Sequence, residues 1–221
     1  VKRMYIYIFI CTCFTFSFGI LIKSVMFGVL VFALAVATSQ AFLFNNPTCR
    51  FPAPAKGFKP SMYQGRWYEV GKIQTAGGAV FQEGCHCTYT EIEPVADNTE
   101  GEQTVANFCN KYGHDGEVST IDGKLFNMKR PGEWQQSFFP FVPPVDYRII
   151  VIDDKGAEYA IEYDCGTTLS VTNYCIHILS RTPTLNEETV QMLLKKANEM
   201  DLNPENLPFE RTPIENCKYN M

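Results

Sequence analysis

Cys175 and His177 stand two residues apart, and Cys85-His86-Cys87 sets two thiols around one imidazole. These are side chains from which a thiolate nucleophile or a metal site could be built. Neither pattern carries that chemistry far. Closed zinc sites typically separate their paired cysteines by two to four residues, and no second Cys/His pair follows Cys85-His86-Cys87. No metal ligand is assigned. Side chains at i and i+2 on a flat strand sit roughly 7 Å apart, beyond hydrogen-bond reach. No third residue to orient His177 and no oxyanion donor can be identified. No catalytic residue is assigned, and the chain is read as a non-enzyme.

What remains for the cysteines is covalent structure. Of the nine, Cys11 and Cys13 fall in residues 4–41, an almost wholly apolar run whose single charge is Lys23. The sequence opens on Val1, and residues 1–25 are read as upstream translation or an alternative start. Met26 then begins a signal peptide, with an apolar region over 27–36 and the small-residue cleavage site Ser39-Gln40-Ala41. A transmembrane anchor over residues 5–22 is the competing reading. Lys23 and the second apolar run favour the signal peptide. The chain is therefore divided into 1–41, which is removed, and 42–221, one domain with no membrane span. Cys49, Cys85, Cys87, Cys109, Cys165, Cys175 and Cys217 stay behind. In a secreted chain they read as disulfides, and an odd number leaves one thiol free or paired between chains.

Removing residues 1–41 takes Lys2, Arg3 and Lys23 and no acid. Sixteen of the 19 basic residues then face 24 acidic ones, a net charge of −8. An acidic surface without a basic run argues against nucleic acid and anionic membranes. No Asn-x-Ser/Thr triplet with a permitted middle residue occurs.

The elements that position these residues are strands. Period-two alternation and turn residues place them at Arg66–Ile73, Cys87–Glu93, Thr104–Lys111, Glu117–Met128, Trp134–Phe139, Tyr147–Ile152, Glu158–Asp164 and Tyr174–Arg181. Eight strands with short links and no intervening helix imply an antiparallel meander. One helix follows. Asn186 caps it, Glu187 and Glu188 lie where the dipole favours acids, and Val190, Leu193, Leu194 and Ala197 share one apolar face. That face is expected to pack on the outside of the sheet. Pro204 and Pro208 start an irregular tail carrying Cys217.

Gly65-Arg66-Trp67-Tyr68-Glu69-Val70 and Ile178-Leu179-Ser180-Arg181-Thr182-Pro183 bracket this meander. Together with Tyr159-Ala160-Ile161-Glu162-Tyr163-Asp164-Cys165 and the late Cys217, they resemble the lipocalins, in the branch of apolipoprotein D, bilin-binding protein and crustacyanin. The likeness runs from about Cys49 to Cys217. Ile152-Asp153-Asp154 departs from the Thr-Asp-Tyr-like turn usual there. The resemblance implies an all-β fold, an eight-stranded antiparallel up-and-down barrel with one C-terminal helix outside. One end would be closed by Gly65, Trp67 and Arg181, the guanidinium stacked on the indole. It also implies the disulfides Cys49–Cys165 and Cys85–Cys217. Cys87 would then face Cys109 across a hairpin centred on Asn98, a register that also pairs Tyr89 with Asn107. A Cys87–Cys109 bridge would leave Cys175 free. Cys165–Cys175 across the last hairpin is the rival pairing.

If Arg181 points inward, so do Leu179, His177 and Cys175. The resemblance places Tyr89, Asn107 and His177 at pocket positions, with Tyr147 similarly placed. These six residues form the expected ligand site, mainly apolar with a few polar groups. That they merely fill the barrel is the plain alternative. The expected function is secreted, extracellular binding and transport of one small hydrophobic molecule. Candidates are lipids such as fatty acids, sterols, retinoids, carotenoids and bilins, with no certain cofactor. A second reading is a filled-barrel interaction protein that docks a receptor or a second copy through the aromatic loop 138–144. A third is a lipocalin isomerase using Cys175.

Overall fold

The computed structural model describes residues 48–96 and 101–219. The expected leader 1–41, with Cys11 and Cys13, lies outside the described residues, as does the expected hairpin centre at Asn98. Eight strands follow in chain order: β1 Gly65–Gln74, β2 Cys85–Pro94, β3 Gln103–Lys111, β4 Val118–Arg130, β5 Glu133–Ser137, β6 Val145–Ile152, β7 Tyr159–Thr168 and β8 Val171–Ser180. Each pairs antiparallel with the next, and β8 returns to β1, so the sheet closes into a barrel. The helix α1 spans Glu187–Glu199, and β9, Glu210–Arg211, ends the order.

Closure is shared with the tail. β1 pairs with β2 only from Gly65↔Ile92 to Tyr68↔Tyr89. Beyond Tyr68 its free edge pairs with β9, Gly71 opposite Arg211 and Lys72 opposite Glu210. Thr212 N–H then donates to the Val70 carbonyl, and Cys87 N–H donates to the Pro213 carbonyl. The tail is thus a short strand interposed where β1 and β2 part, satisfying edge groups that would otherwise be open.

Alternation along the strands sorts two cores. Trp67, Ile92, Val105, Leu125, Ile149 and Leu179 pack inside the barrel with Tyr63, Trp134 and Tyr147. Val70, Ile150, Ile161, Ile176 and Ile178 face outward and are covered by Val190, Leu193 and Ala197 of α1. Asn186 caps that helix, its Oδ1 accepting from Thr189 N–H at 2.7 Å. Burial of each large α1 side chain contributes roughly 1.5–3 kcal/mol. Asp153 makes the departure at Ile152-Asp153-Asp154 harmless: its carboxylate accepts from the N–H groups of Lys155, Ala157, Glu158 and Tyr159 and closes the turn itself.

The disulfides correct two expected pairings. Cys49 is bonded to Cys165, but Cys85 is bonded to Cys109 and Cys87 to Cys217, with Cα separations of 5.7, 5.4 and 5.5 Å. Cys175 is a free, buried thiol. The cause is a bulge. Cys85↔Lys111 and His86↔Asn110 keep the expected register, and then Tyr89 pairs with Phe108 and Thr90 with Asn107, one residue out of step. Cys87 is the extra residue. Its φ of 55° turns it out of the ladder towards the tail that holds its partner.

Candidate ligand-binding site

Arg181 and Trp67 close one end. The guanidinium carbon lies 3.6 Å from the indole centroid. Its N–H groups donate to the carbonyls of Gly156, Arg66, Met62 and Gln64 at 2.6–3.0 Å. Gly65, at φ +84°, lets the strand start beneath it, where an added Cβ would sit 3.6 Å from Arg181 Nη1. Trp67 Nε1–H donates to the Tyr63 carbonyl at 2.8 Å, so the buried indole leaves no polar atom unpaired.

Above this floor lies a cavity of about 250 Å³. Phe81, Phe138, Phe139, Val142 and Pro143 form its mouth. Phe81 and Phe138 touch, with centroids 5.1 Å apart, while Phe141 is fully exposed. Val80–Gln82, a single 3-10 turn, carries Phe81, and the 138–144 loop carries the rest. Leu179 lies at the base, and Thr88, Thr90, Asn107 and Gln136 line the walls. The Thr88 and Thr90 hydroxyls make no hydrogen bond within the protein, although both residues are buried.

The bulge at Cys87 decides which residues those are. Beyond it Thr88, Thr90 and Ile92 are the buried residues of β2, and Tyr89 alternates to the other face. Tyr89 borders the cavity, but its ring stacks on Phe108 at 4.7 Å, beneath the Arg66 guanidinium at 4.4 Å. The expected inward Tyr89 is thereby replaced by Thr90, which faces Asn107. Tyr147 is buried on the inner side of β6 but is not among the residues lining the cavity. It belongs to the floor, its hydroxyl 2.6 Å from that of Tyr63. Cys175 is fully buried and does not line the cavity; His177, Leu179 and Asn107 do.

The polar part of the wall is an acid–imidazole cluster that the sequence reading missed. His177 Nδ1 lies 2.8 Å from Glu69 Oε2, and Nε2 lies 3.8 Å from Asp164 Oδ2. Thr212, from the tail, donates its hydroxyl to Glu69 Oε1 at 2.5 Å. The Tyr63 hydroxyl donates to Glu162 Oε2 at 3.1 Å. Burial favours a protonated Glu69, but the His177 hydrogen bond and charge, helped by Lys72 and Thr212, hold it at about 2. Burial raises Asp164 to about 7 against the nearby His177, and raises Glu162 likewise. Burial alone would lower His177, yet Cys175, Glu162 and Glu69 raise it well above the usual imidazole range. The signal was present in the alternation: Glu69 is two residues from Trp67 on β1, and Glu162 and Asp164 pair with His177 and Cys175 on β8.

Cys175 and His177 approach more closely than the roughly 7 Å expected of i and i+2 side chains on a flat strand. Their ligating atoms, with those of Asp164, all lie within 4.8 Å of one another.

Residues 59–211 match the family model described as a lipocalin-like domain. Apolipoprotein D of Macaca fascicularis is 30% identical over 203 residues, covering 87% of this chain and 97% of that protein. Apolipoprotein D of Mus musculus is 30% identical over 161 residues, covering 71% and 78%. Insecticyanin from the tobacco hornworm Manduca sexta superimposes with a TM-score of 0.60 over 79% of this chain and 92% of its own, at 19% identity, a likeness of fold.

Proposed function

The chain belongs to the lipocalin family, and we propose that it binds and transports one small hydrophobic molecule by burial, without chemistry, outside the cell. The observation that carries this reading is a barrel sealed at the Trp67–Arg181 end and hollow above it, with an aromatic mouth. Burying apolar ligand surface there contributes about 25 cal/mol per Å² before the costs of association. Three disulfides support an oxidising compartment. Among the described residues no helix is long and apolar enough to cross a membrane.

The wall narrows the ligand class. Glu69, Glu162 and Asp164 place three carboxyl groups against one imidazole. The one imidazole is already taken by Glu69 and Asp164, so a ligand carboxylate would be a fourth acid competing for it in a low-dielectric site, whereas a hydroxyl or carbonyl would find hydrogen-bond partners in Thr88, Thr90 and Asn107. A neutral isoprenoid alcohol or sterol therefore suits the cavity better than a fatty acid or a bilin with its propionates. The cavity is at the small end of small-molecule sites, so a longer ligand would project between Phe81 and Phe138.

Titrating the mature chain with retinol and with retinoic acid tests both parts. Quenching of Trp fluorescence should saturate at one retinol per chain, with retinoic acid weaker by about tenfold or more, a difference of about 1.4 kcal/mol. Saturable binding with the acid tighter would overturn the neutral-head assignment alone. No saturable binding to any retinoid, sterol or fatty acid would overturn carriage and favour the filled-barrel protein docking through residues 138–144.

A further inference from the structure

The trio Asp164, Cys175 and His177 is the single group of three potential metal ligands among the described residues. Asp164 and Cys175 are direct partners across the β7–β8 ladder, and His177 follows two residues on. Asp164 and His177 line the cavity, and Cys175 is fully buried beside them. The three bring one carboxylate oxygen, one sulfur and one imidazole nitrogen within 4.8 Å of one another. His177 commits Nδ1 to Glu69 Oε2 at 2.8 Å and turns Nε2 towards Asp164 Oδ2 at 3.8 Å. A carboxylate on one ring nitrogen, fixing the tautomer and leaving the other lone pair free, is how metal-ligating histidines are usually held.

We propose that Asp164 Oδ2, Cys175 Sγ and His177 Nε2 bind one zinc-class divalent cation at the inner wall of the cavity, with Glu69 as the outer carboxylate and a fourth position open to the cavity. The donor set selects the cation. A thiolate and an imidazole suit zinc, cobalt and their neighbours, whereas calcium and magnesium take oxygen alone. In a tetrahedral site with bonds of about 2.0–2.3 Å, ligand atoms stand about 3.3–3.6 Å apart. The His177–Asp164 separation, 3.8 Å, has only a few tenths of an ångström to close, and the sulfur would exchange its 3.7 Å contact with Gln74 Oε1 for the cation. Asp164 lines the cavity and retains a fifth of its side-chain exposure, so a cation can arrive from the mouth. Two positive charges also offset the excess of carboxyl groups packed there. Binding exchanges the thiol proton, and any proton on Nε2 or on the Asp164 carboxyl, for the cation and releases them to solvent. Three protein ligands and one open position form the pattern of an open rather than a closed zinc site.

This site does not depend on hydrophobic-ligand binding, and it is tested without such a ligand. The disulfide-bonded chain, stripped with chelator, is titrated with cobalt(II). One equivalent should give tetrahedral visible bands and a thiolate-to-cobalt charge-transfer band in the near ultraviolet, both displaced by zinc. Cys175→Ser should abolish the charge-transfer band. Glu69→Gln should weaken affinity by about 10–100-fold while keeping the spectrum. X-ray absorption at the zinc edge of the unmodified chain should show one sulfur among nitrogen and oxygen neighbours, a readout needing no core substitution. Absence of stoichiometric cobalt binding, a zinc shell without sulfur, or bands that persist in a folded Cys175→Ser chain would each overturn the proposal.

Discussion

Arg181 lies 3.6 Å over the Trp67 ring and ties together four backbone carbonyls beneath the barrel. One side chain therefore covers the indole and joins β8 to the segment leading into β1 and to the β6–β7 turn. Arg181→Ala should destabilise the fold by about 2–4 kcal/mol, combining a lost cation–π contact with carbonyls left unpaired. In a domain of this size that is a fall in melting temperature of roughly 5–12 °C. Arg181→Lys should recover only part of it, because an ammonium cannot hold the same fork. Calorimetry on the three chains decides this. Equal melting temperatures would remove the plug.

Cys87–Cys217 closes a separation of 130 residues and anchors the strand that completes the barrel wall. Cys217→Ser should cost about 3–5 kcal/mol and loosen β9, exposing the amides of Val70–Lys72 to hydrogen exchange. Non-reducing peptide mapping should return Cys49–Cys165, Cys85–Cys109 and Cys87–Cys217, with Cys175 alkylated only after unfolding. A peptide joining Cys85 to Cys217 would contradict the bulge.

What was legible in the sequence was whatever local chemistry dictates. Period-two alternation placed the eight strands, and Asn186 with its following acids announced α1. Trp67 and Arg181 stood out through the resemblance of their two motifs to the lipocalins, and the inward side of β8 was then read from Arg181 having to reach Trp67. The displaced register of β2 was not legible, because it depends on Cys87 leaving the ladder for Pro213 and Cys217, a contact more than a hundred residues away. Tyr89 was misplaced as its consequence. Glu69, Glu162 and Asp164 were passed over for another reason. Acids are expected to avoid an apolar interior, and the partners that permit their burial come from distant segments: His177 and the tail hydroxyl of Thr212 for Glu69, the Tyr63 hydroxyl for Glu162.

Glu133 and Arg148 form a buried pair at 2.9 Å, with side chains 7% and 3% exposed, and Arg130 also bonds Glu133. Burial tends to raise the Glu133 carboxyl, but Arg130 and Arg148 hold it below its usual value. A depressed carboxyl contributes stability above its unfolded pKa, near 4.3, and loses it as pH falls through the folded value. Wild type should therefore lose stability below about pH 4.3 more steeply than Glu133→Gln. Near neutral pH the variant should be less stable by about 3–5 kcal/mol, because Arg148 keeps a buried charge without its partner. Denaturant melts across this range test both signs. Parallel acid limbs would show that the ion pair contributes nothing to acid stability.

Thr90 faces Asn107 across β2–β3 inside the cavity, and its hydroxyl, like that of Thr88, has no partner within the protein. A buried hydroxyl without a partner carries a desolvation cost that replacement by a methyl removes. Thr90→Val should therefore leave the empty barrel as stable as wild type, or more stable by up to about 1 kcal/mol. The same substitution removes a partner for a ligand hydroxyl, and retinol affinity should fall by roughly 5–10-fold, the value of one neutral hydrogen bond. Stability and affinity thus move in opposite directions, which general damage to the barrel would not produce. Unchanged retinol affinity in Thr90→Val would move the polar head away from this wall, towards Gln136 and the loop that carries Phe138.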